Sequence, residues 1–141
     1  MASQTVESLY FSLSSAGSPI RIDGSSAASP QQIHDAGSMS TPHLDAVFMR
    51  IHNPTASAVD VTVLFLPQGN DSTSLDKASL VYTVPAHDDV WVFRGQRMGE
   101  TASSWETADS GHVGLEAYVD AGDINKLLVL GWVDRVFQPG A

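Results

Sequence analysis

No cysteine occurs among the 141 residues, which excludes disulfide staples, cysteine-based zinc sites and cysteine nucleophiles. Basic residues are scarce as well: 7 Lys plus Arg stand against 16 Asp plus Glu, giving a formal net charge of −9 and a pI near 4.6. Binding to nucleic acid is driven by Lys and Arg that release phosphate counterions. Seven such residues scattered from Arg21 to Arg135 make no basic patch, so no direct nucleic-acid partner is expected. Long apolar runs are missing too, none approaching the roughly 18–20 residues that cross a bilayer. The opening MASQTVESLYFSLSSAGS has neither the basic region nor the continuous apolar region of a signal peptide. The expectation is a protein made in the cytoplasm and without a membrane partner.

Catalytic signatures are equally thin. There is no G-x-S-x-G elbow, no phosphate-binding G-x-x-x-x-G-K-[ST] or G-x-G-x-x-G loop and no H-E-x-x-H. His34, His43, His52, His87 and His112 never come closer than nine residues, so none forms a paired ligand spacing. His87-Asp88-Asp89 sets one histidine beside two carboxylates, but a solvated turn uses the same residue types. Asp120, Asp123 and Asn125 offer too few oxygens for calcium and read as a turn. Asn70-Asp-Ser matches a glycosylation sequon, with little weight in a chain that shows no signal peptide. Glu100, Glu106 and Asp109 surround Trp105 in a long polar stretch, a set that fits either a sugar platform or a solvated loop. No enzyme activity, cofactor or metal is expected.

What the chain does carry is a period of two. In Asp45 to Asn53, Val47, Met49 and Ile51 fall on one face, with Phe48, Arg50 and His52 on the other. Val59 to Pro67 alternates Val59, Val61, Val63 and Phe65 against Asp60 and Thr62. The short Asn-Pro-Thr-Ala-Ser-Ala link predicts that these two strands pair as a hairpin. Further strands are predicted over Ala78 to Val84, Val90 to Arg94, His112 to Val119 and Lys126 to Val136. In Val90 to Arg94, alternation puts Trp91 and Phe93 on one face, against Val90 and Val92 on the other. The last strand is apolar on both faces in its first half, which predicts a central position, and Gly131 within it predicts a bulge or a close backbone approach.

Residues 1–44 differ, being dense in Ser, Ala, Gly and Pro, with room only for short strands at Leu9 to Leu13, Pro19 to Asp23 and Gln32 to Ala36. They read as an N-terminal arm with short edge strands, leaving 45–141 as the body of a single domain. The arm either wraps its own domain or docks on a neighbour through Leu9, Tyr10 and Phe11. No segment has helical apolar spacing. The fold class is therefore all-β, an antiparallel β-sandwich of jelly-roll or Ig-like type with an extended N-terminal arm. Candidate protein-interface residues are Leu9, Tyr10, Phe11, Ile20, Trp91, Phe93, Trp105 and Trp132, large side chains of the kind that dominate interfaces.

Several segments in order carry a resemblance. They are Pro19-Ile-Arg-Ile, Gln32-Ile-His-Asp-Ala, Leu44-Asp-Ala-Val-Phe-Met-Arg-Ile-His-Asn-Pro-Thr-Ala-Ser-Ala, Val61-Thr-Val-Leu-Phe-Leu, Tyr82-Thr-Val-Pro-Ala and Leu130-Gly-Trp-Val-Asp-Arg-Val. Over residues 19 to 136 the chain resembles small tailed-bacteriophage virion proteins of the capsid decoration or cement type. The long 95–111 stretch departs from that pattern. The resemblance implies a non-enzymatic coat component that binds between subunits of the major capsid protein. It also implies assembly as a homodimer or homotrimer, synthesis in the bacterial host cytoplasm and a place on the outer capsid surface. A tail or neck protein and a carbohydrate-binding β-sandwich module using Trp105 are the alternative readings.

Overall fold

The period-two segments become strands whose apolar sides meet. The computed structural model describes residues 5–35, 43–66, 78–98 and 114–137, and these contain β1 (Thr5–Leu9), β2 (Ile20–Arg21), β3 (Gln31–Asp35), β4 (His43–Asn53), β5 (Val59–Leu66), β6 (Ala78–Val84), β7 (Asp88–Met98), β8 (Gly114–Val119) and β9 (Leu128–Phe137). A single turn of 3-10 helix at Ala121–Asp123 leads into β9. All pairings are antiparallel. One sheet has the order β1-β9-β4-β7, with β2 also on β9, and the other has β3-β8-β5-β6. Among the described residues no helix is long and apolar enough to cross a membrane.

The two sheets enclose one core. Val47, Met49 and Ile51 of β4 and Val129 and Val133 of β9 face Val61, Val63, Leu115 and Ala117 of the opposite sheet, all at most 1% exposed. Each buried Val, Leu, Ile or Met side chain contributes roughly 1.5–3 kcal/mol of transfer free energy. β9 has neighbours along both edges, β1 and β2 on one and β4 on the other, in keeping with the central position expected from its apolar first half. Gly131 is required there. A Cβ on it would lie 1.9 Å from the Phe48 carbonyl oxygen, and its φ of +150° is one that side-chain-bearing residues rarely adopt.

Three expectations are corrected. β4 and β5 do not form a hairpin, because they lie in different sheets and the 54–58 link arches over the end of the sandwich. The reason is that both strands present an apolar face, Val47, Met49 and Ile51 on β4 and Val59, Val61 and Val63 on β5, and two such faces are best buried against each other across the core. Asn53 fixes the arch: its amide nitrogen donates to the carbonyls of Ser57 (2.8 Å) and Val84 (3.0 Å), and its oxygen accepts from the Thr55 N–H (2.9 Å) and hydroxyl (2.7 Å). Second, the first strand is Thr5–Leu9 rather than Leu9 to Leu13, since the chain turns at 12–17 with Ala16 and Gly17 at positive φ.

Third, β7 spans Asp88–Met98, longer than the Val90 to Arg94 expected, and is interrupted by two bulges against β4. One lies at Val92, between the pairs Met49–Phe93 and Arg50–Trp91. An extra residue reverses the alternation. Phe93 therefore enters the core at 7% exposed while Trp91 points outward at 38%. The second bulge is at Gly95, whose φ of +98° suits glycine.

The N-terminal residues supply edges to both sheets. β1 and β2 line β9, β3 lines β8, and Phe11, Ile20, Ile22 and Ile33 are buried in the common core.

Candidate functional site

The outer face of the β1-β9-β4-β7 sheet is a ladder of large side chains set by register. Phe48 lies between Trp132 of β9 and Arg94 of β7, Arg50 between Leu130 and Trp91, and His52 between Leu128 and Asp89. The bulge at Val92 is what brings Trp91 into this array. Phe48 and Trp132 stack with ring centroids 4.9 Å apart and planes within 7°. The Arg94 guanidinium carbon stands 5.2 Å from the Trp91 ring centroid, a cation–π contact. Asp89 ties the third row together: its Oδ2 accepts from Arg50 Nη1 at 3.1 Å, and its Oδ1 bonds to His52 Nδ1. Aromatic and guanidinium groups are thus held in fixed positions while remaining partly open to solvent.

The N-terminal segment extends this surface. Leu9 ends β1 opposite Val133 and Ile20 begins β2 opposite Val129, so residues 10–19 loop out along the intervening edge of β9. Ser14, Gly17 and Ser18 of that loop, with Arg50, Trp91 and Trp132, border a cleft of about 220 Å³. On the other side of Trp132, Ser8, Leu9 and Tyr10 border a hollow of about 370 Å³. Tyr10, 65% exposed, lies against Gly17, where an added Cβ would come within 2.6 Å of its ring. Trp132 therefore stands as a wall between two depressions. The face can stack on apolar or aromatic groups and can donate and accept hydrogen bonds beside them.

A second polar cluster is buried between the sheets. Asp45 of β4 is opposite Arg135 of β9 in the register, and the pair is bidentate, with Nε to Oδ1 at 2.8 Å and Nη2 to Oδ2 at 2.9 Å. His34, from β3 in the other sheet, bonds Oδ2 through Nε2 at 2.7 Å. The Ser12 backbone N–H donates to His34 Nδ1 at 3.1 Å, so the imidazole proton is on Nε2 and is given to Asp45. Burial by itself would raise the Asp45 pKa. The hydrogen bonds from Arg135 and His34 and the Arg135 charge outweigh it and hold the carboxyl at about 2, while the Asp45 carboxylate raises the Arg135 pKa. The cluster joins three strands and the 10–19 loop.

Of the interface residues expected from sequence, the structure brings together Leu9, Tyr10, Trp91 and Trp132 on or beside one face. Phe11, Ile20 and Phe93 are at most 7% exposed and belong to the core, which corrects their expected place at a surface. Trp105, with Glu100, Glu106 and Asp109, lies outside the described residues, as does Asn70. Of His87-Asp88-Asp89, Asp89 joins the outer ladder, whereas His87 is exposed in the β6–β7 turn. Asp123 accepts from Lys126 Nζ at 2.9 Å and Asn125 gives its carbonyl to Arg21 at 2.6 Å, in keeping with a turn. Among the described residues no cluster of three or more His, Asp or Glu could hold a metal ion. Sequence reasoning missed Phe48, Arg50, Arg94 and the whole Asp45 cluster. An Arg and a His alternating with Phe on the polar side of β4 was the signal for the first.

Fold and surface together define an all-β sandwich that carries an aromatic and arginine-rich outer face. No protein-family model, curated protein or solved structure matches the chain.

Proposed function

We propose that the protein is a non-enzymatic virion component of the capsid decoration or cement type, seated on the outer capsid surface between subunits of the major capsid protein. The observation that carries the reading is the outer face of the β1-β9-β4-β7 sheet, where Trp91, Trp132, Phe48, Arg50 and Arg94 are presented on rigid strands. Trp, Tyr and Arg are the residue types that dominate protein–protein binding energy. The finer fold in this reading is a jelly roll. Its support is the strand order, because the chain alternates between β1-β9-β4-β7 and β3-β8-β5-β6 in the way that wraps two Greek keys into one sandwich. That architecture serves viral capsids and lectins alike, so it favours a class of fold and leaves the function to the face. The net charge of −9 keeps such a component soluble at high copy number.

The test is to add purified protein to capsids that lack it and to count bound copies by cryo-EM or sedimentation. Saturable binding that Trp91→Ala and Trp132→Ala each weaken at least tenfold is expected; no saturable binding overturns the proposal. Mass spectrometry of separated heads and tails distinguishes the capsid from a tail or neck location. The cleft between Trp91 and Trp132 favours one second reading, a saccharide site, since two indole rings with Arg50, Ser14 and Ser18 beside them match the apolar face and hydroxyls of a sugar. Glycan binding lost in Trp132→Ala, with capsid binding retained, decides for it.

A further inference from the structure

Among the described residues, the four sheet edges differ in how they are defended. A sheet edge offers unpaired N–H and C=O groups to another strand, and proteins block it with charges, bulges or short length. β7 carries Asp88, Asp89, Arg94 and two bulges. β3 is bulged between Gln32 and His34 and ends on Asp35. β1 has only five residues and includes Glu7. β6, Ala-Ser-Leu-Val-Tyr-Thr-Val, has no charged residue and pairs with β5 in unbroken register over seven residues. It also exposes apolar surface, Val81 at 69% and Leu80 at 36%.

We infer that β6 is the edge through which two copies of this chain join, antiparallel about a two-fold axis at Val81, so that two four-stranded sheets become one of eight strands. Self-complementarity supports this occupant. With the axis at the middle residue of Ala78–Val84, Val81 meets Val81 of the second copy, Leu80 meets its Tyr82 and Ser79 meets its Thr83. Each is a favourable cross-strand pair, and no like charges face each other. Charge argues the same way. A chain of net charge −9 repels its own copies, and β6 places no charged side chain in the contact. An interface with a two-fold axis closes at two subunits, which selects the dimer over the trimer. The inference does not depend on what the outer face of the other sheet binds.

The experiment is light scattering on size-exclusion fractions over a concentration series. The native chain is expected at twice the 15.0 kDa chain mass. Val81→Lys, at a position exposed in the single chain, is expected to return it to one chain mass, while Val6→Lys, at the 58%-exposed position on the β1 edge, leaves the dimer intact. Because the chain has no cysteine, Val81→Cys supplies a single thiol, and mild oxidation should convert it to a disulfide-linked dimer. A native chain that stays monomeric at every concentration overturns the inference. So does a dimer that survives Val81→Lys and fails to cross-link through Val81→Cys.

Discussion

Two sets of the same three residue types occupy opposite environments in this protein. Asp45 with His34 and Arg135 lies between the sheets, with side chains 0%, 2% and 21% exposed. Asp89 with His52 and Arg50 lies on the outer face, at 34%, 36% and 41%. In each, one carboxylate takes a guanidinium and an imidazole. Burial decides what each set can do. Between the sheets, all partners are consumed in linking β3, β4, β9 and the 10–19 loop, and a missing partner would leave a charge with no water to solvate it. On the outer face, water competes for every bond, so the same residues contribute little stability and remain available to a ligand.

The sharpest way to break this comparison is to delete each carboxylate. Asp45→Ala is expected to cost about 3–5 kcal/mol, since it strands Arg135 and His34 in a buried site. Asp89→Ala is expected to cost under about 1 kcal/mol. Urea unfolding of both variants measures the contrast, and equal losses would remove the distinction.

Acid should find the buried set next. With the Asp45 carboxyl at about 2 in the folded chain and at the ordinary 3.8 when unfolded, the unfolded state binds the proton first as pH falls. The stabilisation from this group is complete above about pH 4 and is lost as pH drops towards 2. In Asp45→Asn, which has no carboxyl to titrate, the stability curve between pH 4 and 2 should be flatter than that of the native chain. Parallel curves would assign the acid sensitivity elsewhere.

The sequence made some of this legible and hid the rest for identifiable reasons. Alternation in β4 and through the first half of β5 marks the inward residues, Val47, Met49 and Ile51, then Val59, Val61 and Val63, all of which are buried. Gly131 was recognisable because only a close approach explains glycine inside an apolar strand. Pairing was not legible between β4 and β5, since a short Pro-containing link fits a hairpin and an inter-sheet arch equally well. What decides is the burial of their two apolar faces against each other across the core, and Asn53 then fixes the arch through its bonds to Thr55 and Ser57 within the link and to Val84 of β6. Trp91 and Phe93 were placed on one face by a period that the bulge at Val92 breaks. The Asp45 cluster gathers residues 11 and 90 positions from the aspartate, distances no local pattern encodes. The outer ladder was half visible, through Trp91 and Trp132, but its arginines became part of it only when register set β7 and β9 on either side of β4.

The smallest effect tests the surface set most directly. A double-mutant cycle with Arg50→Ala and Asp89→Ala isolates their mutual contribution from what each loses alone. The two groups approach to 3.1 Å with side chains more than one-third exposed. Their coupling is therefore expected at about 0.2–1 kcal/mol in dilute buffer. It should fall further at 1 M salt, where screening acts within about 3 Å. A coupling as large as that of the buried set, or one indifferent to salt, would mean that this part of the ladder is closed to water and is structural rather than a surface held ready for a partner. A small, salt-sensitive coupling keeps Arg50 oriented yet exchangeable. An incoming carboxylate or hydroxyl could then take over the guanidinium without first opening a core.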